Sequence, residues 1–303
     1  MHDEIERRSW QQTRRFEFME WKLFWEGRLN RKDLETTFDI STPQASVDLR
    51  NYRDIAGHNI VYDATEKGFL PSMEMRPQFL RVNANRLLLQ LRAWLTGALQ
   101  REDLWFRDVP PVDMAPDIVR HVDETLLRSI LRAIRLRQAL AIRYQSLSSS
   151  RWRRIAPHAL AFDGYRWHAR AWCCEREDFR DFVLSRIDEV GELAPADYEV
   201  EDDVEWSRTI TLELCAHPAL DPEQRRAIEL DYHMTGGCRE IEVRLSMAYY
   251  FIKRMNLDLT DLPPARAQIQ MRNLAAVQAA ISQSKLDMKA LVEARKTAAG
   301  TGA

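Results

Sequence analysis

Apolar side chains between Trp10 and Trp25 recur at steps of three and four residues. This is the period of an amphipathic helix, so we predict one over this stretch. Gly27 follows it and is typical of the residue just after a helix C-terminus. Asn30 can cap a second helix over residues 31–37 through its side-chain oxygen.

A third helix is predicted over residues 42–53. Ser41 can cap it, and Pro43 lies in its first turn, where a missing N–H costs little. The side chains expected to face the core are those of Val47, Leu49 and Tyr52. A helix, a tight turn and a second helix with a polar front are typical of the helix-turn-helix fold.

Two short β-prone runs follow this helix, over residues 59–62 and 69–71, with a polar segment between them. They predict a β-ribbon of the kind called a wing. Glutamine and arginine near the front of a recognition helix can contact adenine and guanine edges, and a wing lysine can reach phosphate. The candidate DNA-binding residues are Thr42, Gln44, Ala45, Ser46, Arg50, Arg53 and Lys67. Many three-helix domains share this spacing without binding DNA, so the pattern favours this function without establishing it.

The middle of the chain changes from helical to strand periodicity. Leucine-rich stripes predict helices over residues 77–101 and 117–137, with the Pro110-Pro111 pair in the linker between them. A strand is expected over residues 139–144. Asp163-Gly164 is a two-residue turn signal between β-prone runs, which predicts a hairpin. The predicted hairpin strands are residues 155–162 and 165–173, and a third strand covers 179–187.

The second hairpin strand alternates in character. One face carries Tyr165, Trp167, Ala169, Ala171 and Cys173, and the other carries Arg166, His168, Arg170 and Trp172. Arginines interleaved with aromatic rings suit a surface that holds phosphates and stacks bases. The alternative is an ordinary solvated face of a small sheet.

The last hundred residues again mix strands and helices. Residues 188–205 read as a polar link, and residues 297–303 are expected to lack regular structure. Between these segments the predicted strands are 209–215 and 239–245, and the predicted helices are 222–230, 247–255 and 274–294. Gly236-Gly237 marks a turn.

The hairpin region resembles a WYL domain. The resemblance rests on Pro157-His158, on the strand from Arg166 to Trp172, and on the segment from Phe182 to Ile187. The namesake triplet falls on Trp167-His168-Ala169. The resemblance implies a central small Sm-like β-barrel with a basic, polar surface that senses a nucleotide or nucleic-acid effector. By the same resemblance, its effector-binding candidates are Tyr144, Ser146, His158, His168, Arg170, Ser185 and Arg186.

The whole layout is similar to WYL-domain transcriptional regulators of the BrxR/CapW type. The run from Ala248 to Asp258 is similar to the C-terminal dimerisation module of that group. The resemblance implies an α+β protein with three domains. These are a winged helix-turn-helix domain with a linker helix over residues 1–112, an effector-sensing WYL domain over 113–195, and a C-terminal α/β dimerisation domain over 196–303. It also implies a homodimeric repressor of a phage-defence operon that binds an inverted-repeat operator.

Charge adds a contrast between two parts of the chain. The net charge of the 303 residues is −2, so bulk charge does not favour nucleic acid. Residues 128–186 contain thirteen arginines, no lysine and five acids, whereas residues 188–231 contain fourteen acids and three arginines. This segregation suggests one basic and one acidic module. The low lysine content of the whole chain offers a second explanation for the arginines.

Several functional classes are disfavoured. No apolar run approaches the ~20 residues of a membrane span, and the polar start at residues 1–4 lacks a signal-peptide core. Four cysteines give no disulfide framework, so we expect a cytoplasmic protein.

No catalytic, metal or cofactor site is predicted. Ser185 and His158 lack a nucleophile elbow around the serine. His158, His168, Cys173 and Cys174 lack the spacing of a zinc site. Glycine motifs for nucleotides are absent from the sequence, so we expect no cofactor.

Two functional hypotheses remain. In the first, the protein is a sequence-specific DNA-binding repressor whose partners are double-stranded DNA, an effector and a second copy of itself. In the alternative, it is a nucleotide- or RNA-binding adaptor without operator recognition. Duplex binding that depends on Gln44, Arg50 and Arg53 separates the two.

Overall fold

The computed structural model describes residues 10–259, 262–263 and 266–300, with side chains of the last helix described to residue 298. The chain divides into two compact units between Ile118 and Val119. The polar start at residues 1–4 and the final residues 301–303 lie outside the described residues.

The first unit is mainly helical with one hairpin. Its elements are α1 (Trp10–Trp21), which continues into a π-helical turn over Lys22–Glu26, α2 (Arg31–Phe38), α3 (Thr42–Ala56), β1 (Ile60–Asp63), β2 (Gly68–Pro71) and α4 (Ala84–Leu95), with short 3-10 turns at Gly57–Asn59 and Arg101–Asp103. The predicted caps are confirmed. Asn30 accepts from the Asp33 amide in a reciprocal capping box, and Ser41 accepts from the Gln44 amide. Gly27 has a positive φ of 70° and ends the first helical segment.

Packing in this unit joins α1, α2, α3 and the hairpin around one core. Phe16, Leu34 and Tyr52 are fully buried there. Leu49 faces the core as predicted, but Val47 is 42% exposed, so its predicted inward orientation is wrong. Val47 is two residues from both Ala45 and Leu49, which places it on the opposite side of α3 from these core residues.

The helix predicted over residues 77–101 is much shorter in the structure. It begins at Ala84, where Asn83 caps it, and it ends at Leu95 before Gly97, which has a positive φ of 75°. The reason lies in Glu20, whose carboxylate accepts the amides of residues 78–80 at 2.7–2.8 Å. This contact holds the segment in an irregular path across the core.

Glu20 is fully buried and also accepts from the Tyr52 hydroxyl at 3.2 Å. Burial raises the pKa of Glu20 above its ordinary value, while the amides and the hydroxyl act in the opposite direction. One side chain therefore joins α1 to α3 and to the segment that follows the hairpin.

The second unit contains two sheets and five helices among its described residues. Its elements are α5 (Glu124–Leu136), β3 (Ala139–Gln145), β4 (Ser150–Phe162), β5 (Trp167–Cys173), β6 (Asp178–Val183), β7 (Ile187–Ala194), α6 (Val204–Ser207), β8 (Thr209–Ala216), α7 (Pro222–Asp231), β9 (Cys238–Arg244), α8 (Leu245–Arg254), β10 (Ile269–Met271) and α9 (Leu274–Gly300), with 3-10 turns at Leu184–Arg186 and Val200–Asp202.

The larger sheet is antiparallel, with strand order β6-β5-β4-β3-β7. No pairing joins β6 to β7 among the described residues, so the sheet is open and the expected closed Sm-like barrel is not observed. The hairpin at Asp163-Gly164 is confirmed. Gly164 has a φ of 97°, and a Cβ atom there would lie 2.3 Å from the Arg254 guanidinium.

Both faces of this sheet are covered. Leu126 and Ile130 of α5 pack against one face, which includes Ala169 and Ala171 of β5. On the other face, Trp172 packs in a cluster with Val204, and the α9 residues Met288 and Val292 belong to the same cluster. The alternation predicted for β5 is confirmed, but neither face is the solvated surface that the alternation suggested.

The smaller sheet has strand order β10-β8-β9 and packs with α7, α8 and the start of α9. Two predictions in this region were incomplete, since residues 188–205 include β7 and two short helical turns and β10 was not predicted. The prediction that residues 297–303 lack regular structure is wrong for 297–300, which continue α9. Sparse apolar residues in an acidic segment concealed β7, whose Ile187 is buried. None of the described helices is long and apolar enough to span a membrane.

Replacing Glu20 with alanine should destabilise the first unit by about 2–4 kcal/mol, because buried amides lose their acceptor. Thermal unfolding of the full chain measures this as a lower midpoint for one transition. Glu17→Ala, which removes only a partly exposed ion pair with Arg14, should cost at most about 1 kcal/mol. Equal losses in the two variants would contradict the role given to Glu20.

Candidate nucleic-acid interface and effector site

Helix α3 presents a polar front to solvent. Thr42, Gln44, Arg50 and Arg53 are exposed, and Ser46 is half-buried. Ala45 is fully buried in the core, so it does not belong to this exposed set as the sequence had predicted. Its methyl group packs with Leu49 and Tyr52 on the opposite side of the helix.

Buried polar contacts fix the orientation of α3. Asp48 is fully buried and accepts from Arg15 of α1 at 2.7 and 3.3 Å. Gln44 Nε2 donates to the same carboxylate at 3.1 Å, which holds the glutamine side chain along the helix. Together with the contact between Tyr52 and Glu20, this sets the exposed front rigidly on the domain.

The hairpin β1–β2 is anchored in the manner of a wing. Leu29 and Phe69 exchange two backbone hydrogen bonds, of 2.8 and 2.7 Å, so Leu29 bridges to β2. At the tip, Asp63 accepts the amides of Thr65 and Glu66, and Lys67 is exposed with a φ of 49°. The predicted phosphate-contacting lysine therefore lies on an ordered tip.

One neighbour of this front was missed. Arg31 is exposed at the start of α2, and its Nη1 donates to Ser46 Oγ at 3.3 Å. Because the two residues are fifteen positions apart, periodicity within a helix gave no reason to join them. A capped turn between two helices was the available signal, since it brings the start of α2 close to α3.

On the larger sheet, the structure places Arg170 in a buried ion cluster. Its guanidinium donates to both carboxylate oxygens of Asp203 at 2.7 Å, to Glu205 at 2.9 Å and to Asp181 at 3.3 Å. Its side chain is only 3% exposed. The arginine predicted to hold an effector phosphate is thus already saturated by carboxylates of its own chain.

The same cluster includes two aromatic neighbours. His158 Nε2 lies 2.9 Å from Asp203 Oδ2, and the Tyr250 hydroxyl donates to Asp181 at 2.9 Å. Burial alone would lower the pKa of Arg170, but the hydrogen bond with Asp203 and the nearby carboxylates raise it above its ordinary value. Burial opposes ionisation of Asp203, yet Arg170 and His158 hold its pKa below the ordinary range. Arg170 and Asp203 therefore form an ionised pair inside the cluster.

His168 belongs to a second buried pair. Its Nε2 lies 2.9 Å from Asp163 Oδ2, and its ring lies against Tyr250 with 5.0 Å between the centroids. Asp163 also accepts the amides of Tyr165 and Arg166 at 2.7 Å and so closes the hairpin turn. Although burial acts in the opposite direction, these donors lower the pKa of Asp163 from 3.8 to about 2.

The other predicted effector residues lie elsewhere. Tyr144 is buried on the α5 side of the sheet, where its hydroxyl accepts the Val183 amide at 3.3 Å. Ser146 is half-buried and closes the loop to Ser149. Ser185 is exposed and Arg186 is half-buried, both in the turn between β6 and β7. The structure therefore joins His158 to Arg170 through the shared Asp203 carboxylate, and it does not gather the seven residues into one ion-paired set.

The two histidines considered for a zinc site are paired with carboxylates. The side chains of His158 and His168 both face carboxylates of Asp203 and Asp163. In the part of the chain that the structure describes, no group of three metal-ligating side chains comes together.

Replacing Arg170 with methionine should cost about 3–5 kcal/mol, because the fully buried Asp203 and the half-buried Glu205 would lose their cation. Chemical unfolding of the full chain, followed through the transition of the second unit, measures the loss. Arg180→Met removes an exposed pair with Asp178 and should cost at most about 1 kcal/mol. A small loss for Arg170→Met would mean that the cluster is not a principal source of stability.

The lowered pKa of Asp163 gives a pH-dependent contribution to stability. A carboxyl with a depressed folded-state pKa stabilises the fold fully above its ordinary pKa of 3.8 and loses that effect as the pH falls towards about 2. The difference in unfolding free energy between the wild type and Asp163→Asn should therefore be constant above about pH 5 and shrink below about pH 4. Asp188→Asn, at an exposed position of β7, is the matched control. If the difference in unfolding free energy does not change with pH, the Asp163 carboxylate is not the source of this stability.

Three family models match successive parts of the chain. They are the BrxR transcriptional regulator winged helix-turn-helix domain at residues 11–104, the WYL domain at 125–191, and the BrxR transcriptional regulator C-terminal dimerization domain at 209–277. The first covers α1 to α4, the second covers α5 and most of the larger sheet, and the third covers the smaller sheet. The resemblance seen in the sequence is thereby confirmed.

Curated relatives match almost the full length. The chain is 37% identical to the DNA-binding transcriptional repressor CapW of Stenotrophomonas maltophilia, over 89% of this chain and 92% of the relative. It is 36% identical to CapW of Escherichia coli strain KTE188, over 90% and 93% of the two chains. It is 34% identical to CapW of Pseudomonas aeruginosa, over 87% and 90%. The chain therefore belongs to the CapW family of DNA-binding transcriptional repressors, which are transcriptional regulators and not enzymes.

Proposed function

We propose that this chain is a cytoplasmic, homodimeric repressor that binds an inverted-repeat operator and controls a phage-defence operon. The observation that carries the proposal is the solvent-facing polar front of α3, held on a winged-helix domain in a member of a repressor family. The domain division into residues 1–112, 113–195 and 196–303 forms part of the same proposal.

Recognition would place α3 in the major groove. Gln44 and Arg50 are exposed on α3 and carry the donors that suit adenine and guanine edges. Arg53 and Lys67 would contact the phosphates on either side. A dimer built on the C-terminal domain would present two such helices to half-sites roughly one or more helical turns (~10 bp) apart.

Regulation would come from a nucleotide or nucleic-acid effector at the WYL domain. The more accessible candidates, Ser146, Ser185 and Arg186, would make the first contacts. Arg170 and His158 become available only when Asp203 and Glu205 move away from them. An effector that competes for the guanidinium would thus detach the segment around α6 from the sheet. A coupling of about 1–3 kcal/mol between this step and operator binding is enough for regulation.

Alanine replacement of Gln44, Arg50 and Arg53 together should abolish retardation of the DNA upstream of the gene. Loss of Arg50 alone should weaken binding by about 1–3 kcal/mol and relax specificity at one base pair. Arg225→Ala, at an exposed position of α7, is the matched control and should bind like the wild type. A mobility-shift titration at low and moderate salt measures each affinity.

Either of two results in this assay would overturn the proposed operator binding. Should the wild type give no retarded band at low salt, or should the triple variant bind as well as the wild type, operator reading by α3 is excluded. Single-strand binding with indifference to the duplex would instead support the adaptor hypothesis.

A further inference from the structure

A cleft of about 530 Å³ opens between the edge strand β6 and the helices α8 and α9. Small-molecule sites are commonly on the order of 300–1,000 Å³, so the cleft has room for a ligand of nucleotide size. None of the effector residues predicted from the sequence lines it except Arg170. Its lining carries charged and hydroxyl-bearing side chains from β5, β6, α6, α8 and α9.

The carboxylates of this lining are already paired. Asp178 accepts from Arg180 at 2.6 Å through both oxygens. Asp181 accepts from Arg170 and from the Tyr250 hydroxyl, and Glu205 accepts from Arg170. Because its carboxylates already have partners, the cleft does not favour binding of an external cation.

The lining side chains that have no partner in the described residues are hydrogen-bond donors. Lys285 and Lys289 lie one turn apart on α9, are exposed, and form no ion pair or hydrogen bond within the described residues. The Ser246 hydroxyl is buried, and Oγ lacks a hydrogen-bond partner in the described structure. A buried hydroxyl without a partner is costly, and two ammonium groups beside it favour an anion.

The remaining lining suits a planar ring. Tyr249 is 52% exposed at the mouth, and Ile281 and Met288 of α9 supply apolar walls. An aromatic ring beside cationic groups is the usual combination for stacking a base while holding its phosphate. Inorganic phosphate would use the donors alone and leave this apolar surface empty.

We propose that this cleft binds a phosphate-bearing ligand of mononucleotide size. Lys285, Lys289 and Ser246 hold the phosphate, and the base lies against Tyr249. The proposal deepens the proposed function, on which it rests for the link to operator binding, because it gives the effector a cleft that shares only Arg170 with the residues predicted for the WYL surface.

A ligand bound in this cleft would lie next to the ion cluster around Arg170. The cleft is lined by Arg170 and Glu205, which belong to the ion cluster that holds α6 against β5. A phosphate placed beside Glu205 repels that carboxylate and attracts the guanidinium. Binding therefore weakens the attachment of the α6 segment.

Calorimetric titration of the full chain with adenosine monophosphate, adenosine and inorganic phosphate tests the site. We expect the monophosphate to bind, adenosine to bind at least tenfold more weakly, and phosphate to compete with the monophosphate. The double variant Lys285→Ala/Lys289→Ala should weaken binding of the monophosphate at least tenfold. Lys296→Ala, on the same helix but outside the cleft, is the matched control and should bind like the wild type.

Absence of monophosphate binding at millimolar concentration overturns the proposal, and so does a double variant that binds like the wild type. A mobility-shift assay of the double variant with operator DNA and no added ligand distinguishes this proposal from the proposed function. If the variant still retards the DNA but no longer binds the nucleotide, the result supports the nucleotide site in the cleft. Retained retardation with no nucleotide binding by the wild type removes the cleft and leaves the repressor in place.

Discussion

The ion cluster around Arg170 is the interaction on which the second unit depends. One guanidinium on β5 is shared by carboxylates from β6, from the residue that caps α6 and from α6 itself, while Tyr250 of α8 joins through Asp181. Such a buried charge is tolerated only when every partner is present, since an unpaired ion in a low-dielectric interior costs several kcal/mol. The cluster thus ties four elements into one arrangement.

The first unit uses a comparable device. Glu20 is a buried carboxyl group whose partners are the backbone amides of residues 78–80 and the hydroxyl of Tyr52. Both units therefore place one buried ionisable group at the point where segments distant in sequence must meet. In the first unit, this point lies directly behind the exposed front of α3, so DNA contacts would be made from a rigid support.

Local signals in the sequence were sufficient for much of the fold. Asn30, Ser41 and Asp163 act through groups within three residues, and each was placed correctly as a cap or turn. The start of the helix predicted over residues 77–101 was placed wrongly, because Glu20 lies about sixty residues away from the amides that it holds. Hydrophobic periodicity depends only on residues that are near in sequence. It therefore cannot predict an element whose boundary is set by a residue distant in sequence.

The candidate site shows the same limit. The alternation of Arg170 with alanines on β5 was read correctly, yet its exposure was not, because Asp203 and Glu205 lie more than thirty residues further on. The contrast between the arginine-rich and acidic stretches was the available signal. It was interpreted as two separate modules, whereas the structure pairs the two stretches with each other.

This pairing has a consequence for cutting the protein into pieces. A fragment that ends at residue 195 would contain the whole larger sheet but would lack Asp203, Glu205 and Tyr250. Arg170 and His158 would then keep their places in the sheet without the groups that neutralise and cover them. A fragment that keeps every ionic and hydroxyl partner of the Arg170 cluster must therefore extend through α8, which is well beyond residue 195.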